Sequence, residues 1–256
     1  MDVPRTNFLE FIGTEQTNLL VTLTKCHHDI ADIFPHLDGI YQTPFEFIDV
    51  NTKDEYKKTI LSLCLFTHYQ LYFSTVCHLR CHLSDSLSST RKAIDATLTA
   101  YRLIVEPDTL AQYHDSHSDY QHIKSYVAKQ IQLAPTSYPL AAELIKFHEL
   151  CSEFGSHADI SSFVSRVSVE HTQETGKGLV KVNMFQKPET DIELRAYLVR
   201  SLLAYSQMAK VFSLFIGELA IGLNLDAWNK KIDELMHAFA SEVRNIDRYF
   251  KAANIK

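Results

Sequence analysis

Two Cys–His pairs stand four residues apart in VCHLRCH, residues 76–82, and cysteine and histidine are the side chains that zinc prefers. A structural zinc site needs four such ligands, mostly as closely spaced pairs from two segments of the chain. No second segment of this sequence carries two cysteines at similar spacing. We therefore interpret the stretch as the end of a buried helix, in which Cys77 is an apolar thiol and His78 and His82 form a polar edge.

A second group of possible metal ligands lies in CHHDIADIFPH, residues 26–36. His28 and Asp32 are four residues apart, so a helix would present both side chains to one ion, and helical bundles build metal sites in this way. The chain contains 13 histidines, and this number keeps the hypothesis open. We predict no cofactor and no resident metal, and we keep a metal-binding bundle that uses His28 and Asp32 as an alternative.

A charged residue falls within the apolar stripe of the helix predicted over 84–106. At about 100° per residue, Arg91 lies among side chains that should face the core. A buried charge is costly unless it is paired, and Asp95, four residues later, is the nearest partner for a salt bridge. Alternatively, Arg91 anchors an anionic ligand in a polar pocket with Asp95, Tyr101 and His157, the last of which belongs to the polar loop FGSHADISS at 154–162.

No coherent catalytic constellation emerges from the sequence. The chain has no Gly-x-Ser-x-Gly nucleophile turn and no glycine-rich phosphate loop, because Gly176-Lys177-Gly178 lies in a predicted hairpin turn that leads into a strand. The Arg-x4-His string at 166–171 resembles the signature of the helical HEPN ribonucleases, in which the motif lies on a helix. Here it falls in a predicted strand, and we transfer no activity from it.

The elements that must position these residues are long helices. Only 7 glycines and 7 prolines interrupt 256 residues, so few breaks are expected. The longest predicted helix, about 54–82, is apolar nearly all round, which is typical of a helix at the centre of a core. Phe34-Pro35 should end the first helical segment, and Ser84-Asp85 should cap the helix that follows VCHLRCH. Asp226 should cap the last helix, which carries an apolar stripe that runs from Trp228 to Phe250.

Residues 162–186 break this helical pattern, because β-branched and polar residues alternate there on both sides of Gly-Lys-Gly. We therefore predict a mainly α fold, a multi-helix bundle with two long central helices and one inserted β-hairpin at about 164–185. The whole chain, 1–256, is predicted to be a single helical domain with the hairpin insertion at 162–186, since no repeat, low-complexity segment or linker divides it.

Charge and hydropathy limit the expected partners. The chain carries 25 Lys and Arg against 31 Asp and Glu, a net charge of -6, so nucleic acid is not expected to bind. The apolar stretches 60–79 and 198–223 contain polar residues such as His68, Gln70 and Arg200, so we expect core helices and no membrane association. The N-terminus lacks the basic and apolar regions of a secretory signal, so we expect a cytoplasmic protein.

The leading functional hypothesis is a soluble, helical, non-catalytic protein that acts through an interaction surface and self-associates, most simply as a homodimer. The hairpin and the long apolar helices offer surfaces of the kind that dimers bury. One alternative is a helical enzyme or small-ligand-binding protein that uses the polar pocket of Arg91, Asp95, Tyr101 and His157. The other is the His/Asp metal-binding bundle.

Overall fold

The computed structural model describes residues 8–48, 53–116, 136–155, 167–171, 178–182 and 191–253, and every structural statement below concerns these residues. The fold is mainly helical, as predicted. Its helices are α1 (Phe8–Val21), α2 (Ile30–Gln42), α3 (Glu55–Leu79), α4 (Leu83–Val105), α5 (Leu110–Ser116), α6 (Ala141–Gly155), α7 (Asp191–Leu219) and α8 (Leu225–Ala252). A π-helical segment, Thr22–Cys26, lies between α1 and α2, and short 3-10 turns, Thr43–Glu46 and Pro107–Thr109, follow α2 and α4.

Helices α3 and α4 form an antiparallel hairpin and pack along each other more extensively than any other pair of elements described. The N-cap of α3 is Asp54, whose carboxylate accepts hydrogen bonds from the backbone N–H groups of Tyr56 and Lys57. Between the helices, Cys81 has a φ of 65°, a left-handed conformation that non-glycine residues rarely adopt. Helix α4 then begins at Leu83 without a side-chain cap. The predicted cap at Ser84-Asp85 is wrong, because the left-handed turn starts the helix earlier.

Helix α2 runs through Pro35, so the predicted stop at Phe34-Pro35 is also wrong. A proline inside a helix removes one backbone hydrogen bond and crowds the preceding turn, at a cost of about 3 kcal/mol. The residues that follow it offset this cost, because Leu37 and Ile40 are fully buried and each contributes roughly 1.5–3 kcal/mol through burial. Tertiary packing therefore overrides the local signal for a helix end.

Helix α7 lies at the centre of the core. Its buried face includes Leu198, Leu202, Tyr205 and Phe212. The buried Tyr41 hydroxyl on α2 donates a hydrogen bond to the backbone carbonyl of Tyr205 at 2.7 Å, and the Ser74 hydroxyl on α3 donates to the Tyr205 hydroxyl at 3.1 Å. Tyr205 thus joins α2, α3 and α7 in the interior.

Helix α8 covers α7 with the apolar stripe predicted from its sequence. Trp228, Ile232, Phe239 and Ile246 are buried along that stripe. The helix begins two residues earlier than expected, because Asn224, and not Asp226, is its N-cap and accepts a hydrogen bond from the backbone N–H of Ala227 at 3.1 Å.

A guanidinium on α7 fastens three parts of the bundle together. Arg195 binds the two carboxylate oxygens of Asp29, just before α2, at 2.6 Å each, and its Nε donates to Glu242 on α8 at 3.0 Å. The Arg195 hydrogen bonds hold the pKa of Asp29 below its ordinary value, although burial opposes this effect. The geometry is the bidentate arrangement in which an Arg–carboxylate pair is strongest.

Two strands, β1 (Val167–His171) and β2 (Gly178–Val182), pair antiparallel, with Val167 opposite Val182 and His171 opposite Gly178. The residues on either side of them lie outside the described ranges. The helical bundle is therefore the fold that is established, and the inserted hairpin over 162–186 stays a prediction, as does the single-domain organisation.

Candidate functional site

The polar residues predicted on α4 meet a histidine of α6. Arg91 Nε lies 3.3 Å from His148 Nε2, and the same Nε2 lies 2.9 Å from Asp95 Oδ1. A single ring nitrogen cannot accept a hydrogen bond from Arg91 and donate one to Asp95 in the same tautomer, and the shorter contact to the carboxylate is the stronger of the two. The expected direct pair between Arg91 and Asp95 is thus replaced by a contact of each with His148.

His148 was not predicted as the partner of Arg91 and Asp95, although its position in the sequence indicates that it faces the core. His148 lies four residues after Leu144 and three before Cys151, and both of these neighbours are buried on the inner face of α6. A histidine at these spacings must point toward α4. The spacing of the buried residues of α6 therefore identifies His148 as the partner of Arg91 and Asp95.

The other two residues of the predicted polar pocket do not join this cluster within the described ranges. Tyr101 lies ten residues after Arg91, or about 15 Å along the helix axis, and its buried ring packs edge-on against Tyr138 with ring centroids 5.1 Å apart. His157 lies outside the described residues. Ligand binding by Arg91, Asp95, Tyr101 and His157 stays a prediction.

The His148 cluster links α4 to α6. The nearest thiol is Cys151, one turn further along α6, and burial raises its pKa to about 12. A thiol with such a pKa stays protonated at neutral pH and is a poor nucleophile. The three polar side chains therefore form a hydrogen-bonded seam between α4 and α6.

VCHLRCH forms the end of α3 and the turn to α4, as predicted, but His78 is not at a polar edge. Its ring is fully buried, with its centroid 5.9 Å from that of the buried His27. Burial lowers the pKa of His78 to about 3, with a smaller contribution from repulsion by His27. His82 is largely buried in this turn, where its Nε2 is 2.6 Å from Glu15 Oε1 on α1. The motif thus ties the α3–α4 turn to the N-terminal part of the chain.

The residues of the metal hypothesis do not converge. His28 and Asp32 are both exposed, and α2 begins at Ile30, so His28 lies before the helix that was expected to align the pair. Among the residues that the structure describes, no group of three or more His, Cys, Asp and Glu side chains is placed to hold a metal ion. The hypothesis gains no support here.

The largest unexpected feature is an exposed apolar face on α3, the helix predicted to be central to the core. One side of α3 packs in the bundle, but six large apolar side chains point outward. These six, which we call the α3 apolar face, are Leu65 (50% exposed), Phe66 (41%), Tyr69 (61%), Tyr72 (40%), Phe73 (48%) and Val76 (38%). At 100° per residue they fall within an arc of about 120°, so they form one continuous surface.

A hydrogen-bonded network fixes the edge of this face. The carboxylate of Asp38 on α2 accepts hydrogen bonds from the Tyr72 hydroxyl at 2.5 Å and from the Gln42 amide at 2.7 Å, and it lies 2.6 Å from His68 Nε2. The His68 ring stacks on Tyr41, with centroids 5.2 Å apart and planes 8° apart. Partial burial, and then the bond to Asp38, raise the pKa of Tyr72. Tyr72, at the edge of the face, is therefore held in place before any partner binds.

The α3 apolar face carries no compensating charge. Residues 59–79 contain no Asp, Glu, Lys or Arg. By length and composition α3 could cross a membrane, yet half of its most apolar stretch is buried inside the bundle. The buried half contains Thr67, Gln70, Ser74 and Thr75, which make their contacts with protein.

No protein family, curated protein or solved structure matches the chain.

Proposed function

We propose that this protein acts through a protein–protein interface, and that the α3 apolar face joins it to a second copy of the same chain. The observation that carries the proposal is the continuous arc of six exposed apolar side chains on α3. Exposed patches of this extent, with a polar edge, mark interaction sites on folded proteins.

The size of the face supports a stable contact. Large side chains of this kind bury roughly 150–250 Å² when fully covered, and about half of each remains accessible. Six of them expose roughly 500 Å² per copy, so two copies would bury roughly 1,000 Å² before any neighbouring residue is counted. That area reaches the lower bound of about 1,000 Å² for a specific interface.

The composition of the face favours a second copy over a charged partner. The six side chains of the face carry no charge that would select an acidic or basic protein, whereas a two-fold axis near its centre, between Tyr69 and Tyr72, would pair each aromatic ring with another. Aromatic side chains are the residues most enriched in such interface cores. The fixed position of Tyr72 also reduces the conformational entropy lost on association.

A membrane is the less favoured occupant. Gln70, Ser74 and Thr75 lie on the buried side of α3 and contact protein. Insertion of α3 across a bilayer would detach it from α4 and expose these groups to lipid, where unsatisfied polar groups cost several kcal/mol. Lipid contact by the outward face alone would need no such change, so the experiment must separate the two occupants.

Light scattering after size exclusion tests the proposal. The wild-type chain should elute with the mass of a dimer, and Tyr69→Glu, at the most exposed aromatic of the face, should elute as a monomer because a charge would be buried in the interface. Tyr249→Glu is the matched control, since Tyr249 on α8 is 51% exposed and lies outside the face. Circular dichroism of both variants checks that the bundle stays folded.

Two results would contradict the proposal. One is a wild-type chain that remains a monomer at its highest soluble concentration. The other is a dimer that Tyr69→Glu leaves intact while the variant stays folded. Flotation with phosphatidylcholine vesicles gives the third arm: a monomer that floats, and that Tyr69→Glu releases, would assign the face to lipid and overturn the dimer.

Two further expectations, on the hairpin and on the cellular compartment, accompany this proposal. The β-hairpin over 162–186 is an insertion within a single domain. The protein works in the cytoplasm, a compartment that keeps cysteines reduced, and the free, buried state of Cys64, Cys77, Cys81 and Cys151 supports this placement.

A further inference from the structure

A half-open cavity of about 460 Å³ lies between α2 and α8, away from the α3 apolar face. Small-molecule sites in proteins occupy about 300–1,000 Å³, so the volume suits a compact ligand. Pro35, Gly39 and Ile40 line it from α2, and Trp228, Lys231 and Leu235 line it from α8. Neither the predicted polar pocket around Arg91 nor the proposed dimer contact includes the residues that line this cavity.

The floor of the cavity is apolar and fixed. Ile40 and Trp228 are buried, and the Trp228 indole N–H donates a hydrogen bond to the backbone carbonyl of Ile40 at 3.1 Å. Gly39 contributes open space, because a Cβ added there would meet no atom within 4 Å. The missing side chain of Gly39 is therefore part of the volume that a ligand would fill.

A lysine on the rim makes no salt bridge with any residue that the structure describes. This residue, Lys231, is exposed. Three other polar side chains line the cavity: the exposed His36, Thr43, and Glu234, whose carboxylate lies 3.7 Å from Lys230. Lys230 lies close enough to offset part of the charge of Glu234, and Lys231 is the cation of the lining that could meet a ligand.

We propose that this cavity binds a small amphipathic anion, an alkyl or aryl carboxylate whose apolar body lies on Trp228 and Ile40 and whose carboxylate meets Lys231. An apolar floor with a few polar groups at its edge is the usual composition of a ligand site, because the floor provides affinity and the polar groups fix orientation. The site is independent of the α3 apolar face and of the oligomeric state.

The fluorescence of Trp228 can be used to follow binding in this cavity, because Trp228 is the single tryptophan of the chain. Titration of the full-length protein with decanoate should shift Trp228 fluorescence to saturation. Gly39→Leu should abolish this response, since the new side chain occupies the cavity, and it should not lower the melting temperature, since leucine is a better helix former than glycine. Lys231→Gln should weaken decanoate binding at least fivefold and leave the binding of uncharged decanol unchanged.

Two control variants locate the bound probe. Lys146→Gln, at an exposed lysine on α6, should bind decanoate as the wild type does, and so should Tyr69→Glu. The proposal is overturned if decanoate produces no saturable response, if Gly39→Leu binds it undiminished, or if Lys231→Gln and Lys146→Gln behave alike. Loss of decanoate binding in Tyr69→Glu alone would show that decanoate binds at the α3 apolar face and not in the cavity, and it would also overturn the proposal.

Discussion

The buried histidine of VCHLRCH makes the stability of this protein sensitive to acid. Burial and the neighbouring His27 ring lower the pKa of His78 to about 3 in the folded chain, from an ordinary value of 6.5. Between these two pH values the unfolded chain binds a proton at His78 that the folded chain does not. The contribution of His78 to stability is therefore fully present above pH 6.5 and is lost as the pH falls toward 3.

The size of the effect follows from the pKa difference. Each pH unit below the unfolded pKa costs about 1.4 kcal/mol, so at about pH 5 the folded chain loses roughly 2 kcal/mol through this side chain alone. A loss of this size is a substantial part of the 5–15 kcal/mol that typically stabilises a domain.

Urea unfolding at about pH 7.5 and about pH 5, followed by circular dichroism, measures the effect. His78→Leu keeps an apolar side chain of similar size at the buried position and removes the titrating group. The wild type should lose roughly 2 kcal/mol more than His78→Leu between the two pH values. His237→Leu, at an exposed histidine of α8, is the control and should follow the wild type.

The reasoning fails if His78→Leu and the wild type lose the same free energy between the two pH values. Equal losses would mean that His78 is protonated within the folded bundle, or that its ring leaves the core before the bundle unfolds. A difference confined to His237→Leu would also refute it, because an exposed ring has no reason to couple to folding.

Three further predictions follow from the packing. Arg195→Ala should lower the free energy of unfolding by about 1–3 kcal/mol, because it leaves two partly buried carboxylates without their cation. Lys58→Ala, which breaks an exposed pair, should change the free energy of unfolding by less than about 1 kcal/mol. Equal effects of the two variants in urea unfolding would contradict a stabilising role of Arg195. Leu37→Ala should cost about 2–5 kcal/mol by thermal or urea unfolding, and a loss below about 1 kcal/mol would show that α2 does not depend on packing after Pro35. Cys64 and Cys151, whose burial raises their pKa values to about 12, should resist iodoacetamide in the native state, as followed by mass spectrometry, and should react once urea unfolds the chain; rapid native labelling would be inconsistent with their burial.

The sequence predicted those features that depend on local pattern. The stripe that runs from Trp228 to Phe250 has the helical period, and the structure buries it against α7. Helix α3 likewise ends within VCHLRCH, as expected, although at Leu79 and not at His82. Pro35 was misinterpreted because its local preference is real, and only the burial of Leu37 and Ile40 outweighs it.

The features that escaped prediction depend on contacts between distant residues. His148 is 57 positions from Arg91, and no local pattern connects them. The apolar residues of α3 surround the helix, so the sequence did not distinguish its buried side from its exposed side. Which side faces outward was decided by where α4 and α7 pack, and that information lies in other segments of the chain.

The central position of α7 has a consequence for how the chain folds during synthesis. The α3–α4 hairpin is local and can form as soon as Val105 leaves the ribosome, but the side that α7 covers must wait until Leu219 has been made. At about 5–20 residues per second, the roughly 110 intervening residues take roughly 5–20 s. During that time α4 covers one side of α3, but the side that α7 will cover and the α3 apolar face are both exposed, so α3 is then the segment most prone to aggregate or to bind a chaperone.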